Sequence, residues 1–297
     1  MSTLIENFLK SAKKPLIVIL GPTASGKTAL SLKIAKKYNC EIISTDSRQI
    51  YKEMEIGTDA ITLEEQNGIP HHMLGITTPD KTITMSEYVD LALEKIEEIY
   101  SRGHIPILVG GTGLYISAII ERYDMPKIPP NEKLREELEK MSTEDLHEKL
   151  KKLNPEAAER IHPNNRRYVI RAIEIATADS PKKASEKPHF DVYMIGIKWP
   201  REELYQRVNY RVDRQIERGL LDEVKKLLKK GYAENLPSMS SLGVKEIIPY
   251  LKGESTLEEC LNILKQSTRK YAKRQMTWFR RYDNVEWITP DKIDTYV

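Results

Sequence analysis

Apolar positions along the chain fall into short continuous runs separated by longer stretches with helical spacing. The runs "LIVIL" (16–20), "EIIST" (41–45), "IPILVG" (105–110) and "VYMIGIKW" (192–199) are strand-length and lack the strict alternation of a half-exposed strand. They predict strands covered on both faces. Helical patterns lie between them, notably "TALSLKIAKKY" after the first run and "MSEYVDLALEKIEEIYSRG" before the third. Strand, helix and strand at crossover-length gaps predict an α/β fold with a parallel sheet flanked by helices.

The pattern changes between the third and fourth runs. "MPKIPPNEK" (125–133) and "ADSPKKASEKP" (178–188) gather prolines and lysines, and read as the two ends of an insertion. Inside it "NEKLREELEK", "EDLHEKLKKL" and "NRRYVIRAIEIA" are helical and no strand stands out. The expected division is 1–122 for the first part of the α/β core, 123–190 for an inserted all-helical subdomain, and 191–297 for the completion of the core. In that last part Leu204, Val208, Val212 and Ile216 recur every fourth residue on a helix that runs on through "LLDEVKKLLKKG" to Gly231. A final helix places Leu261, Leu264, Tyr271 and Trp278 on a seam and Arg269, Lys270, Lys273 and Arg274 off it, with no acid between Glu259 and Asp283.

Composition narrows the picture only a little. A chain of 297 residues with 40% hydrophobic content buries a sizeable core, and the net charge of +3 is a small difference between 47 basic and 44 acidic residues. Local charge therefore decides more than the total. Cys40 and Cys260 have no Cys or His neighbours at metal-ligand spacing, which argues against a disulfide framework or a zinc finger. No run approaches the roughly 18–20 apolar residues of a membrane span. The expectation is a monomer in the cytosol, away from any membrane.

"GPTASGKT" carries the strongest chemistry. Gly21, Gly26, Lys27 and Thr28 meet the pattern G-x-x-x-x-G-K-[ST] with a strand before and a helix after, the context a phosphate loop requires. The expected cradle is Gly21, Pro22, Thr23, Ala24, Ser25, Gly26, Lys27 and Thr28: loop amides and the helix N-terminus face an anion, Lys27 adds a full charge, and Thr28 ligates Mg²⁺. The pattern recognises a diphosphate and is silent about what is attached to it. Asp46 apart, no apolar strand ends in the aspartate of a P-loop ATPase, and no arginine-rich lid is evident; a P-loop kinase of a small metabolite remains the alternative.

"EIISTDSRQIY" places Asp46 at the carboxyl end of the second strand, on the cleft side where ligands gather in open parallel sheets. It reads as a Mg²⁺-associated carboxylate, a general base, or a turn aspartate. In "VGGTGLY" Gly110 and Gly111 let the backbone approach a ligand, and Thr112 offers a hydroxyl. The adjacent His71 and His72 cannot face one metal from a regular element, and read as structural or as cleft wall.

Together "GPTASGKT", "DSRQIY" with "EIGT", "PHHM", "GGTGLY", "IHPNNRRYVIRAIE" and "RQMTWFRR" resemble, in order and spacing, the bacterial tRNA dimethylallyltransferase family, over nearly the whole chain. The resemblance implies a P-loop NTPase-like fold and transfer of a dimethylallyl group from dimethylallyl diphosphate to N6 of the adenosine 3′ of a tRNA anticodon. The cradle's guest is then the donor's diphosphate, the leaving group. The resemblance makes Asp46 the base on N6, Thr112 a positioning group and Lys27 the cation on the diphosphate, with Mg²⁺ as cofactor. It places tRNA, held by its anticodon stem-loop, against Asp46, Ser47, Arg48, Gln49, Thr112, Arg135 and Arg171, while Arg167 and Lys245 are expected to add tRNA contacts that compensate where the chain departs from the family. Ser240, Val244 and Tyr168 depart from the family's usual residues in tRNA-contacting segments. A related class prenylates free AMP, ADP or ATP; the basic helices here favour tRNA.

Overall fold

The computed structural model describes residues 2–121, 123, 128–178 and 189–293, without the side chains of Ser2 and Thr3. Two compact units emerge, Met1–Tyr123 with Pro188–Val297, and Asp124–Lys187.

The larger unit is built on six parallel strands: β1 (Pro15–Leu20), β2 (Cys40–Ser44), β3 (His71–His72), β4 (Ile105–Gly110), β5 (Asp191–Ile197) and β6 (Val285–Ile288). Their order across the sheet is β3-β2-β4-β1-β5-β6. The four apolar runs are the four inner strands. Central β1 pairs with β4 through Ile17↔Ile107 to Leu20↔Gly110, and with β5 through Pro15↔Asp191 to Leu20↔Gly196. Leu16 to Leu20 are all fully buried, which is why their pattern is continuous. The two edge strands were not expected. A two-residue strand has no period to detect, and "VEWI" carries a charge that the edge tolerates.

Helices of this unit are α1 (Ser2–Ser11), α2 (Lys27–Tyr38), α3 (Glu55–Thr58), α4 (Met85–Ser101) and α5 (Gly113–Ile120). Starts are set by chemistry: α4 opens on a reciprocal pair in which Thr84 accepts from the Glu87 amide and Glu87 accepts from the Thr84 amide. The smaller unit holds α6 (Glu132–Glu139), α7 (Thr143–Leu153), α8 (Pro155–Arg160) and α9 (Arg166–Thr177), and no strand among its described residues. Leu138, Leu146, Leu150, Val169, Ile170 and Ile173 form its core. Most of the two Pro/Lys-rich flanks read as its ends lie outside the described residues.

The larger unit then continues with α10 (Arg201–Glu217), α11 (Leu220–Lys229), α12 (Ile248–Leu251) and α13 (Leu257–Phe279). The single long helix expected after β5 is two. Gly219, at φ 98°, breaks it, a backbone that a side chain disfavours. On α13 the buried row is Cys260, Leu264, Thr268, Ala272, Gln275 and Phe279, so the seam lies beside the one expected: Leu261, Tyr271 and Trp278 are half-buried.

One polar cluster ties the sheet's β3 edge together. Glu41 on β2 is buried, and its carboxylate accepts from Arg102 (2.9 and 2.7 Å) and contacts His72 Nε2 (2.6 Å) and His104 Nδ1 (2.7 Å). His72 is thus structural. The Arg102 bonds, against the opposing effect of burial and with help from both histidines, hold the Glu41 carboxyl down at about 2. A depressed carboxyl stabilises the fold above its unfolded value near 4.5 and loses that contribution as pH falls toward 2. Glu41→Ala should cost about 3 kcal/mol at neutral pH by urea unfolding, breaking a buried charge cluster. The gap from wild type should narrow below about pH 4.5; a constant gap would contradict the assignment.

Candidate active site

The loop between β1 and α2 is held from outside by α10, the segment that leads into it, and α13. Trp199 Nε1 donates to Ser25 O (2.9 Å), Arg207 Nε to Ala24 O (2.8 Å) and an Arg211 amino group to Thr23 Oγ1 (2.6 Å), while Gln275 Oε1 accepts from Thr23 N (2.8 Å). Gly26, at φ 94°, turns the chain into α2. Among the described residues the amides of Ala24, Gly26, Lys27 and Thr28 make no hydrogen bond. Ser25 Oγ is buried without a partner. Free amides at a helix N-terminus beside an orphaned hydroxyl suit an anion with several acceptor oxygens. The Lys27 ammonium donates to Pro22 O (2.8 Å). Burial and then the Arg211 charge draw its pKa down to about 8, against the pull of Asp46 and Asp59.

The ends of β2 and β4 interlock next to this cradle. Thr45 N donates to Val109 O (2.8 Å), Thr112 N to Thr45 O (3.2 Å), and Ser47 N to Thr112 Oγ1 (3.1 Å). The crossing is so close that a Cβ on Gly110 would lie 2.3 Å from Thr45 Oγ1, so no larger residue fits there without moving backbone. Asp46 Oδ1 accepts from Arg48 N (2.9 Å), the turn-aspartate geometry. Its Oδ2 makes no hydrogen bond among the described residues. A turn role and a chemical role are therefore compatible, one per oxygen. Buried phenols surround this carboxylate: burial, with the Asp46 charge adding, raises Tyr88 well above its usual range and Tyr115 to about 12, so both stay neutral. Tyr271 of α13 is likewise raised by burial and by Asp46, and its hydroxyl faces Thr112.

Sequence reasoning missed what lines the opposite wall. Arg207, Arg211, Arg214 and Arg218 on α10 and just past its end border the same cleft of about 620 Å³ as Lys27, Asp46 and Gly111. An arginine row does stand over the cradle, contrary to expectation. Spacings of four, three and four put these residues on one helical face, a signal that was available but was overshadowed by the apolar face opposite. Asp59 anchors the row through Arg211 (3.3 Å) and Arg218 (3.0 Å). Glu223 accepts from the Ile56 and Gly57 amides (2.7 and 2.8 Å) and Gln215 donates to the carbonyls of the same two residues, which explains "EIGT" as the turn that docks this wall.

The residues expected against tRNA differ in availability. Arg48 donates to Pro237 O and to Ser240 Oγ (3.3 Å), and Gln49 is engaged by Ser44 Oγ and by the carbonyls of Thr58 and Asp59. Arg135 and Arg171 are not free cations: Arg135 forks onto Glu174 (2.8 and 3.0 Å) and Arg171 donates to Glu174 (3.1 Å) and Ile128 O (2.8 Å). Burial pushes the Glu174 carboxyl up, but the Arg135 fork, the Asn131 amide and Arg171 outweigh it and keep it ionised. Arg167 and Tyr168 are exposed on α9, and exposed Lys245 lies 3.7 Å from Glu246. Val244 is core, and Ser240 serves Arg48. On α13, Lys265 pairs with Asp213 (2.6 Å) and Arg269 with Asn209 (2.6 Å), whereas Lys270, Lys273 and Arg274 are solvent-facing.

A parallel sheet with an anion cradle after β1 and a carboxylate after β2, both opening on one cleft, defines a P-loop-like α/β protein. The IPP transferase family model matches residues 49–282, and the chain belongs to that family. It is 47% identical over 290 residues to the tRNA dimethylallyltransferase of Acetivibrio thermocellus, covering 94% of this chain and 93% of that one. The corresponding protein of Alkaliphilus oremlandii is 46% identical over 293 residues (95% and 94%). Among solved structures, the full-length tRNA isopentenylpyrophosphate transferase of Bacillus halodurans matches with a TM-score of 0.72 at 44% identity, covering 95% of this chain and 94% of that one. A eukaryotic dimethylallyltransferase acting on tRNA matches with a TM-score of 0.82 at 31% identity (93% and 74%).

Proposed function

We propose that this protein transfers the dimethylallyl group of dimethylallyl diphosphate to N6 of the adenosine 3′-adjacent to the anticodon in tRNA. The observation that carries the reading is the placement of Lys27 and Asp46 on one cleft, a diphosphate-binding cation and a carboxylate with one unused oxygen. The allylic C1–O bond breaks with its electron pair leaving on the diphosphate, where Lys27 and the free loop amides meet the developing charge. The N6 lone pair forms the new bond to C1, and the N6 proton passes to Asp46 Oδ2. Thr112, fixed by the Ser47 amide, orients the acceptor beside Asp46. An adenosine stacked in the anticodon loop cannot reach into such a cleft, so the nucleotide leaves its stack.

Magnesium fits this donor set. The Thr28 hydroxyl borders the cleft and would supply one oxygen, the remaining positions being filled by water and diphosphate oxygens. Bound there, it would neutralise diphosphate charge. The supporting relatives carry the transferase name, and no helix among the described residues is long and apolar enough to cross a membrane. A tRNA acceptor places the enzyme where mature or maturing tRNA is found, in the cytosol.

The deciding experiment offers purified protein, Mg²⁺ and labelled dimethylallyl diphosphate either tRNA or AMP. Label in tRNA alone supports the proposal; label in AMP alone, or ATP consumption without any prenyl donor, overturns it. Outside the cleft, Lys270, Lys273 and Arg274 form the solvent-facing cationic stripe of α13. Replacing all three with alanine should weaken tRNA binding and lower the slope of log affinity against log salt by about 0.7–0.9 for each phosphate that is no longer neutralised. An unchanged slope would take this stripe out of RNA binding.

A further inference from the structure

The buried row of α13 contains a glutamine among Leu264, Ala272 and Phe279. A buried amide is costly unless its donors and acceptor are used. Gln275 uses both ends on backbone: Oε1 accepts from Thr23 N (2.8 Å) and Nε2 donates to Gly111 O (3.0 Å). Thr23 lies in the cradle after β1, and Gly111 lies between β4 and Thr112. These two strands are neighbours whose pairing ends at Leu20↔Gly110. Beyond that rung the chains part, one toward the diphosphate cradle and the other toward the acceptor side of the cleft. The Gln275 amide sits across the gap with a donor on one side and an acceptor on the other, as a peptide group of an intervening strand would. The fit is close: a Cβ on Gly111 would stand 1.9 Å from Nε2.

We propose that Gln275 is a positioning residue for the transfer reaction, a surrogate rung that fixes the distance between the diphosphate cradle and the Thr112–Asp46 side of the cleft. This rests on the function proposed above. Gln275 need not touch either substrate; it acts through the Thr23 amide and the Gly111 carbonyl. Losing the rung lets the two strand ends drift, and displacements near 1 Å lower transfer by about 10²-fold when reacting atoms must meet in line.

Gln275→Met keeps volume and removes both hydrogen bonds. Gly111→Ala attacks the same rung from the other side, and Gly111 is not at positive φ, so alanine brings no backbone strain. With wild-type transfer to tRNA established in parallel, Q275M should remain folded by thermal melting, lower single-turnover transfer by about 10²-fold at saturating substrates, and weaken isopentenyl diphosphate binding about tenfold. Its tRNA affinity should stay within about twofold, because no RNA-facing group is altered. G111A should behave alike, and the double variant should be no worse than the poorer single one, since both break one link. Transfer by Q275M within about threefold of wild type would overturn the inference, as would a loss confined to tRNA affinity or effects that multiply in the double variant. If Q275M does not fold, G111A decides by the same criteria; unfolding of both makes Gln275 a structural staple and overturns the positioning role. A wild-type protein that labels no tRNA would instead remove the proposed function, whatever Q275M does.

Discussion

Asp46→Asn should leave tRNA affinity within about threefold of wild type and reduce single-turnover transfer by about 10²–10⁴-fold, the usual contribution of a positioned general base. Asparagine is the sharper substitution because its Oδ1 can still accept from Arg48 N, so the turn that carries Ser47 and Arg48 is preserved. What disappears is a basic oxygen at the Oδ2 position. Adenine's exocyclic amine is weakly nucleophilic, its lone pair being shared with the ring, and loss of its proton to a carboxylate is what makes attack on C1 favourable. Rates measured at saturating donor and tRNA separate this from binding. A variant that transfers within about tenfold of wild type would remove Asp46 as the base and leave it the turn aspartate alone.

The inner sheet was legible because physics writes it plainly: a strand covered on both faces is a continuous apolar run, and Leu16–Leu20 show it in full. Edges write less. His71–His72 pair with Ile42 and Ile43 over two residues, too short for any pattern, and Val285–Ile288 has its apolar run interrupted by the half-buried Glu286. Thr84 and Thr256 cap α4 and α13, whereas the Gly219 break was overlooked because the apolar spacing continues across it. The α13 seam was misplaced by a related bias. Counting apolar side chains finds Tyr271 and Trp278, but the face that is buried includes Thr268 and Gln275, whose polarity is satisfied by backbone groups that no apolar count reveals.

Local motifs marked the loop after β1, Asp46 at the end of β2 and the Gly110–Thr112 turn, each built by residues that are neighbours in sequence. Residues that act through long-range pairing did not show. Arg135 and Arg171 look like surface cations in sequence and are instead counterions of buried Glu174, 39 residues and 3 residues away along the chain. Conversely, Arg207 and Arg211 look like an ordinary polar helix face and in fact grip the cradle 183 and 188 residues earlier. The cradle is therefore shaped by α10 and α13 as much as by its own glycines. Its outward carbonyls and the Thr23 amide are committed to Trp199, Arg207 and Gln275, and among the described residues the amides of Ala24, Gly26, Lys27 and Thr28 have no protein partner.

The same crowding makes Lys27 a charge held in readiness. With its pKa drawn to about 8 by burial and Arg211, the ammonium is mostly present at neutral pH and largely lost a unit above that value. A bound diphosphate favours the charged form and pulls the value back up, so binding takes up a proton wherever the free enzyme is already neutral. Affinity for isopentenyl diphosphate, a donor analogue that is not consumed because its C1 is not allylic, should be flat from about pH 7, where the diphosphate is itself ionised, to about pH 8. Above it, affinity should fall by up to about tenfold per pH unit, until the pH reaches the pKa of the bound state. Lys27→Met should weaken this binding by about 10–100-fold at neutral pH, the scale of one charged hydrogen bond, and abolish the alkaline fall. Transfer should drop further, by about 10²–10³-fold, since charge on the leaving diphosphate grows as the bond breaks. Lys27→Arg should bind more weakly than wild type for want of fit but without pH dependence up to about pH 10, guanidinium remaining charged throughout. Calorimetric titration from about pH 6.5 to about pH 10 reads binding in all three proteins across the range where the ammonium is lost. An alkaline fall that persists in Lys27→Met would assign the titrating group elsewhere.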